Sequence, residues 1–419
     1  MRSTSALVLF IAFGLIFIHT GIALGAKPLP KDKHWVGTWC TATQLVEPNN
    51  MPPAPGLAGN TLRQVVRVSI GGNQLRVKFS NEHSKSPVSM KSVQIALSKG
   101  GSDIDAKTLK VLTFNGSKSA TMESGKTIYS DPIAFNLKAR ADVAITICFE
   151  QTSETLTGHP GSRTTSYLLP GNDLKTTDFT KAITTEHWYV INAIDVVAPK
   201  NTGAIAILGN SITDGRGTTT NAQNRWPDIL SERLLKNPGT QNIGVLNMGI
   251  GGNCVLRGGL GPTGISRYER DIINQPGVRW AIVFIGVNDL GGVRNEASAT
   301  TVSDNLIGAY KSMIDQAHAK GIRIYGATIM PFKGNGYYNT NSETARQKVN
   351  QWIRESKSFD GVIDFEKVLQ NPEDPAAMLS TLDFQNDFLH PSAEGHALLG
   401  QSIDLKFFTD QSFFKLKSK

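Results

Sequence analysis

The sequence AIAILGNSITDG occupies residues 204–215. Its apolar run, residues 204–208, has the length of a buried parallel β-strand, and Gly209 and Asn210 separate that run from Ser211. Open α/β sheets bind their ligands at the carboxyl ends of the strands. We therefore expect the Ser211 hydroxyl to lie at the ligand-binding edge of a parallel sheet.

Strands and amphipathic helices alternate over residues 201–419. The predicted strands are residues 203–208, 244–248, 280–286, 323–330 and 361–365. Apolar residues recur at helical spacing over 302–317, and Gly321 is a stop signal. This rhythm predicts a parallel sheet with helices on both faces. Right-handed crossovers would bring the loops that carry Ser211, Gly252 and Asn288 to one edge.

The chain has a different texture before residue 200. Residues 61–70 and 74–79 alternate between apolar and polar side chains on either side of a Gly-Gly-Asn turn signal at 71–73. Residues 88–97, 108–114 and 143–149 continue the pattern. These features predict an antiparallel β-sandwich domain over residues 33–195.

The composition excludes several classes of protein. A chain of 419 residues with 40% hydrophobic side chains suggests two domains or one large domain, and it is not mainly disordered. The formal net charge of +8 is spread thinly, so we expect no nucleic-acid partner.

The first 26 residues have the pattern of a signal peptide. Arg2 precedes an apolar stretch at 6–18, and small residues follow at 23, 25 and 26. An uncleaved anchor helix is the alternative. Cleavage would leave a mature chain without a membrane span, in a secreted or periplasmic location.

The cysteines and histidines indicate no metal site. Three cysteines allow at most one internal disulfide; Cys40 and Cys148 are the likeliest pair, and three buried thiols are the alternative to a Cys40–Cys148 bond. No CxxC motif or Cys/His cluster is present, so we expect no structural metal site.

The sequence also supplies the partners that a nucleophilic serine needs. A serine hydroxyl requires a base, and a histidine base requires a carboxylate that orients its ring. Asp387 and His390 lie three residues apart, so the carboxylate can bond Nδ1 while Nε2 faces Ser211. The predicted catalytic residues are therefore Ser211, Asp387 and His390.

Attack on an ester carbonyl creates an oxyanion, which needs hydrogen-bond donors. The predicted donors are the backbone N–H groups of Ser211 and Gly252 and the side-chain amide of Asn288. Each residue alone fits an ordinary structural role: a helix cap, a turn or an Asx turn. Their order along the chain, each after a strand, favours the catalytic interpretation.

Other residues compete for these roles. His396 is the rival of His390, but it lies inside the last predicted helix, where a packing role is more common. Asp289 and Asp383 are rival carboxylates; Asp289 has a likelier structural role, and Asp383 is seven residues from the histidine. Asp214 fits a solvated loop residue best.

Candidate substrate-binding residues follow two of the strands. Tyr337 and Tyr338 lie on a Gly/Asn-rich loop, where tyrosines either stack on sugar rings or pack against the β domain. Arg257 lies in a glycine-rich segment that could form another wall of the site. Trp226 is expected in the core.

The sequence resembles the SGNH, or GDSL-type, serine esterases over residues 201–405. The four letters of the family name match Ser211, Gly252, Asn288 and His390, and Asp387 matches the DxxH block. The resemblance implies a flavodoxin-like three-layer α/β/α catalytic domain and ester hydrolysis through an acyl-enzyme without a cofactor. Asn210 departs from the aspartate of the GDSL motif, which removes a charge but keeps the hydrogen-bonding shape.

The N-terminal half also resembles one exported subgroup. Residues 35–39 (WVGTW) and 61–66 (TLRQVV) look like the β domain of the acetylxylan-esterase-like enzymes. The resemblance implies a secreted esterase that acts on short acyl esters, such as acetyl groups on plant polysaccharides or oligosaccharides. The alternatives are a lipase or phospholipase, disfavoured by the lack of a long apolar lid segment, and an inactive glycan-binding module.

Overall fold

A buried strand that precedes Ser211 lies at the centre of the C-terminal half of the chain. The computed structural model describes residues 29–171 and 178–409, so the predicted signal peptide at 1–26 lies outside the described residues. The parallel strands are β17 (Gly203–Gly209), β18 (Ile243–Gly249), β19 (Val278–Phe284), β20 (Arg323–Ala327) and β21 (Gly361–Ile363), in the spatial order β18-β17-β19-β20-β21. This order is the flavodoxin-like order, as predicted.

The helices follow these strands. They are α1 (Ser211–Asp214), α2 (Trp226–Lys236), α3 (Gly264–Tyr268), α4 (Val287–Leu290), α5 (Glu296–Ala319), α6 (Thr340–Glu355), α7 (Phe365–Leu369) and α8 (Ala393–Ser402). A short antiparallel pair, β22 (Gln370–Asn371) and β23 (Asp374–Met378), lies between α7 and α8. The predicted third and fourth strands extend past the observed ends of β19 and β20, because the apolar residues that follow are buried in loops.

Strand β17 is buried on both faces, so its alternating side chains serve two cores. Ile205 and Ile207 face a core that contains Trp226 of α2. Ala206 and Leu208 face the opposite way, into a core that continues into the N-terminal half. A strand buried on both sides reads as an uninterrupted apolar run, which is why its sequence lacks alternation.

The N-terminal half is built from antiparallel strands. They are β1 (Lys33–Cys40), β2 (Gln44–Leu45), β3 (Thr61–Arg67), β4 (Gly72–Ser80), β5 (Val88–Gly100), β6 (Asp103–Ile104), β7 (Lys110–Leu112), β8 (Ala120–Met122), β9 (Thr127–Tyr129), β10 (Ile133–Leu137), β11 (Asp142–Gln151), β12 (Thr157–His159), β13 (Ser166–Leu169), β14 (Ile183–Thr185), β15 (Trp188–Tyr189) and β16 (Ile191–Pro199).

Two main sheets share one apolar core in this half. One has the order β1-β16-β4-β10, and the other has the order β14-β13-β3-β11-β5-β6; β15-β12-β2 form a small third sheet. The fold class, an antiparallel β region before a three-layer α/β/α region, is confirmed. Two residues of the predicted turn at 71–73 belong to β4, which begins at Gly72, and β3 and β4 lie in different sheets and do not pair with each other.

The two halves are in direct contact. The side chain of Leu246 in β18 fills the space beside Gly37 of β1, where a Cβ would come within 2.9 Å of it. Val245 N–H donates to Ser69 Oγ at 3.0 Å. Arg140 forms ion pairs with Asp228 at 3.1 Å and Glu232 at 3.2 Å. One apolar cluster runs through both halves.

Of the two alternatives for the cysteines, the structure has the three buried thiols and not the Cys40–Cys148 disulfide. Cys40 ends β1 in one sheet and contacts Met248 Sδ at 3.4 Å, whereas Cys148 lies on β11 in the other sheet and contacts Thr61 Oγ1 at 3.2 Å. The two cysteines therefore belong to different sheets, each with its own neighbour.

Replacement of Leu246 by alanine tests the shared core. We expect Leu246→Ala to lower the free energy of unfolding by about 2–5 kcal/mol, because it leaves a cavity between β18 and β1. Urea denaturation followed by tryptophan fluorescence measures this loss. The exposed Leu45 is the matched control, and Leu45→Ala should change stability by about 0.5 kcal/mol or less. Equal effects of the two substitutions would contradict the shared core.

Candidate active site

The turn after β17 presents Ser211 at the carboxyl edge of the sheet. Ser211 is the first residue of α1, and Asn210 caps this helix by accepting a hydrogen bond from Ile212 N–H at 3.0 Å. Gly209 lies against the side chain of Thr213 so closely that a Cβ would collide with it. The turn is therefore tight, and the departure from the GDSL motif at residue 210 preserves the cap.

The imidazole of His390 lies between Ser211 and Asp387. Its Nε2 is 2.7 Å from Ser211 Oγ, and its Nδ1 is 2.7 Å from Asp387 Oδ2. The other carboxylate oxygen, Oδ1, accepts the backbone N–H groups of Leu389 at 2.9 Å and His390 at 2.8 Å. The carboxylate thus fixes both its own loop and the imidazole ring.

Burial and hydrogen bonding set the charges of this pair. Burial is the main cause that lowers the pKa of His390, although Asp387 opposes it. Burial would raise the pKa of Asp387, but hydrogen bonds from His390 and Leu389 outweigh it, and the pKa lies below its ordinary value. At neutral pH the ring is therefore neutral and able to accept a proton, beside an ionised carboxylate.

Gly252 and Asn288 follow the strands on either side of β17. Gly252 has φ of 68°, a left-handed conformation that favours glycine. Asn288, in α4, donates from Nδ2 to the carbonyl of Asn253 at 2.8 Å. This bond ties the two loops together and uses one of the two hydrogens of the amide.

Sequence reasoning missed Arg267, a buried cation beneath these loops. Its guanidinium donates to the carbonyls of Met248 at 2.7 Å and Gly209 at 2.9 Å, and to Asn253 Oδ1 at 3.1 Å. It also pairs with the buried Asp271 at 3.0 Å. Arg267 therefore connects the ends of β17 and β18, and no local sequence signal distinguishes it from a surface arginine.

The rival residues have structural partners. His396 is buried; its Nε2 contacts the carbonyl of Arg216 at 3.0 Å, and burial lowers its pKa to about 4. Asp289 accepts the N–H groups of Val255 at 2.8 Å and Leu256 at 3.0 Å, which holds the loop after Gly252.

The two remaining carboxylates, Asp383 and Asp214, have different partners. Asp383 accepts the N–H of Phe388 at 2.9 Å, so it supports the loop that carries His390. The expectation of a solvated loop position for Asp214 is wrong: its side chain is buried and its Oδ1 is 2.8 Å from His159 Nε2. The partner comes from β12 of the N-terminal half, a long-range contact that local sequence does not reveal.

The candidate substrate-binding residues are partly packed. The ring of Tyr337 covers Gly291, and Tyr338 lies edge-on to Phe332 with ring centroids 6.3 Å apart. Both tyrosines are half-buried against the core of the α/β half. Arg257 is exposed, and its Nη2 donates to the carbonyl of Asn288 at 2.7 Å.

Residues 207–398 match the GDSL-like Lipase/Acylhydrolase family. This region is a GDSL-type acylhydrolase domain. The chain is accordingly a carboxylic ester hydrolase, and the predicted family and enzyme class are confirmed. The matched region begins within β17 and ends within α8, so it includes Ser211, Asp387 and His390.

Solved structures of a GDSL-like lipase and of an acetylxylan esterase are similar to about half of the chain. A GDSL-like lipase from Bacteroides thetaiotaomicron is 18% identical, with a TM-score of 0.35, over 52% of this chain and 90% of that one. A catalytic mutant of an acetylxylan esterase from Geobacillus stearothermophilus is 21% identical, with a TM-score of 0.36, over 48% of this chain and 91% of that one. No curated protein matches the chain.

Within 29–171 and 178–409, no three His, Cys, Asp or Glu side chains are grouped so that they could hold a metal ion. In the same part of the chain, no helix has both the length and the apolar character needed to cross a bilayer.

Substitutions at Asn210 test the helix cap beside Ser211. We expect Asn210→Asp to retain the acceptor and to keep ester hydrolysis within a few-fold of the wild-type rate. Asn210→Ala removes the acceptor, so it should lower the free energy of unfolding by about 0.5–2 kcal/mol. Urea denaturation and turnover of a chromogenic acetyl ester measure the two effects. Equal damage from both substitutions would argue against a capping role.

Proposed function

We propose that this protein is a secreted serine esterase that removes short acyl groups, principally acetyl, from plant polysaccharides or oligosaccharides. The observation that carries the proposal is the continuous hydrogen-bonded chain from Ser211 Oγ through His390 to Asp387, with both contacts at 2.7 Å. This arrangement is what nucleophilic catalysis by a serine requires.

The first half-reaction forms an acyl-enzyme. Ser211 Oγ attacks the ester carbonyl carbon while His390 Nε2 accepts the hydroxyl proton, and Asp387 stabilises the resulting imidazolium. The carbonyl oxygen becomes an oxyanion. When the tetrahedral intermediate collapses, the bond to the alcohol oxygen breaks, and His390 returns the proton to that oxygen. The alcohol, a sugar hydroxyl, leaves.

The oxyanion is bound by three donors in this proposal. They are the backbone N–H groups of Ser211 and Gly252 and the second amide hydrogen of Asn288. The bond from Asn288 to Asn253 supports this role, because it fixes the amide before the substrate arrives. Donors fixed in advance need no reorganisation as charge develops.

The second half-reaction releases the acid. Water replaces the alcohol, His390 removes its proton, and the hydroxide attacks the acyl carbon. Collapse of this second intermediate breaks the bond to Ser211 Oγ, which takes its proton back from His390. No cofactor takes part in the proposed reaction.

A small cavity supports a short acyl group. Its lining is mainly apolar, and four of the lining residues are next to Ser211, Asn288 or His390 in the sequence. The lining consists of Asn210, Ile212, Phe284, Ile285, Val287, Ile329, Met330 and Leu389. Its volume is about 10 Å³, the space of a single water-sized group. A methyl group is closer to that size than a long acyl chain is.

The loop after β20 carries aromatic side chains that suit a sugar ligand. Tyr337 and Tyr338 lie on the loop after β20 and are half-buried, so part of each ring remains accessible for stacking on a sugar. Secretion is supported by the signal-peptide pattern at 1–26. The family resemblance adds the acetylxylan-esterase-like subgroup.

Substitutions in the proposed triad test serine catalysis. Ser211→Ala and His390→Ala should each lower kcat for a chromogenic acetyl ester on the order of 10⁴-fold or more, because nucleophile and base act as a unit. Circular dichroism should show the wild-type fold. His318 is the matched control, since it pairs with Asp360 at 2.9 Å on the surface, and His318→Ala should keep full activity. Wild-type turnover in Ser211→Ala would refute the mechanism, and an inactive wild-type enzyme would favour a glycan-binding module.

Acyl length separates the esterase from the lipase. We expect kcat/KM to be highest for acetyl esters and to fall as the acyl chain of a 4-nitrophenyl ester lengthens, because the cavity lined by Asn210 and Ile212, the neighbours of Ser211 in the chain, holds only a small group. Acid release from acetylated xylan, mannan and pectin, with a phospholipid as comparison, identifies the natural alcohol. Preference for long acyl chains or for the phospholipid would replace the esterase with the lipase alternative.

A further inference from the structure

A loop from the N-terminal half reaches the proposed active site. Residues 160–164 pack on the segment that follows α1: the carbonyl of Ser162 accepts from Arg225, and Thr164 Oγ1 accepts from Gln223 at 2.9 Å. Between these contacts, the carbonyl of Arg163 accepts the N–H of Asn221 at 2.9 Å. The backbone of Arg163 is therefore held from both sides.

The side chain of Arg163 has a hydrogen-bond donor that is not satisfied. Its backbone φ is 49°, a left-handed conformation that is uncommon for residues other than glycine. Its Nε is buried and has no hydrogen-bond partner in the described structure. A buried donor without a partner costs free energy, and a bound acceptor would recover it.

Arg216 approaches the same region from the other side. Its N–H donates to the carbonyl of Ser211 at 2.8 Å, and its carbonyl contacts His396 Nε2 at 3.0 Å. The next residue, Gly217, lies so close to the carbonyl of Pro391 that a Cβ would collide with it. Arg216 is exposed, and its guanidinium carbon lies 5.5 Å from the centre of the Phe384 ring.

The positive charges of Arg163 and Arg216 both act on His390. After burial and the opposing effect of Asp387, these charges are the further causes that lower the pKa of His390. Within residues 29–171 and 178–409, neither arginine forms an ion pair with a carboxylate. Two unneutralised cations that act on the ring work against the imidazolium that the proposed mechanism needs. An anion from the substrate would neutralise them at that step.

We propose that Arg163 and Arg216 form a subsite for a carboxylate on the alcohol portion of the ester, as in an acetylated uronic acid. The inference rests on the proposed function and narrows its substrate class from sugar esters in general to acidic ones. A neutral acetylated sugar offers these cations only hydroxyl and ring oxygens. A carboxylate offers two charged acceptors that match the fork of a guanidinium.

A pair of aryl acetates tests the subsite. The anionic ester is 4-acetoxybenzoate, and the neutral one is methyl 4-acetoxybenzoate; the quantity measured is the ratio of their kcat/KM values. We expect Arg163→Gln and Arg216→Gln each to lower this ratio about tenfold, and Arg163→Lys to keep part of it. The wild-type ratio should also fall at about 0.5 M NaCl, because salt screens the attraction.

The matched control is Arg279→Gln, which removes one positive charge at the start of β19, the opposite edge of the sheet. It should keep the wild-type ratio. Hydrolysis of the neutral ester by the wild type, lost in Ser211→Ala, tests the proposed function separately. If that result holds but both glutamine variants keep the wild-type ratio, the subsite is refuted while the esterase stands. A ratio that falls equally in Arg279→Gln would assign the preference to net charge and would also refute the subsite.

Discussion

The active-site edge of the sheet depends on a buried guanidinium. Arg267 donates to the carbonyls at the ends of β17 and β18 and to Asn253, whose own carbonyl accepts from Asn288. Strand ends at the edge of a sheet leave carbonyl groups that need donors, and a buried charge is costly unless it is fully paired. Asp271 supplies the countercharge, and its pKa lies below its ordinary value because two arginines outweigh the effect of burial. One side chain therefore satisfies the carbonyls and sets the relative positions of three loops.

The loop that carries His390 is organised locally by contrast. Asp387 binds two backbone N–H groups of its own loop as well as the ring, so the carboxylate and the imidazole form one unit. Asn335, in the loop after β20, donates to the carbonyl of Asp387 at 2.7 Å and links this unit to the sheet. The unit reaches Ser211, 179 residues away in the sequence, through the contact of the imidazole with the hydroxyl. The candidate site thus joins a sheet edge fixed by a buried cation to a loop whose carboxylate and imidazole orient each other.

The features that sequence predicts are those with local signals. The apolar run at 204–208 and the helix ending before Gly321 are both set by neighbours in the chain, and the structure has both of them. The sequence does not define the strand ends near residues 286 and 330, because buried loop residues and buried strand residues produce the same apolar pattern. The expected solvated environment of Asp214 was wrong, and the sequence left the Cys40–Cys148 pairing open, because both depend on which sheet, or which half of the chain, a residue faces. Arg267 and Arg163 carry no local signal that separates them from surface arginines, since Arg267 bonds the carbonyls of two strand ends that are distant in sequence and the buried Nε of Arg163 has no partner in the described structure.

The contact between His159 and Asp214 has a consequence for how such a chain can evolve. A histidine on β12 reaches into the helix that begins with Ser211, and Leu246 occupies the space beside Gly37. The antiparallel half consequently contributes to the interior of the hydrolase rather than sitting beside it as a removable attachment. Recombination that exchanged this half for an unrelated module would remove the partner of a buried carboxylate that lies only three residues after Ser211, the proposed nucleophile, so we expect the two halves to be inherited as one unit.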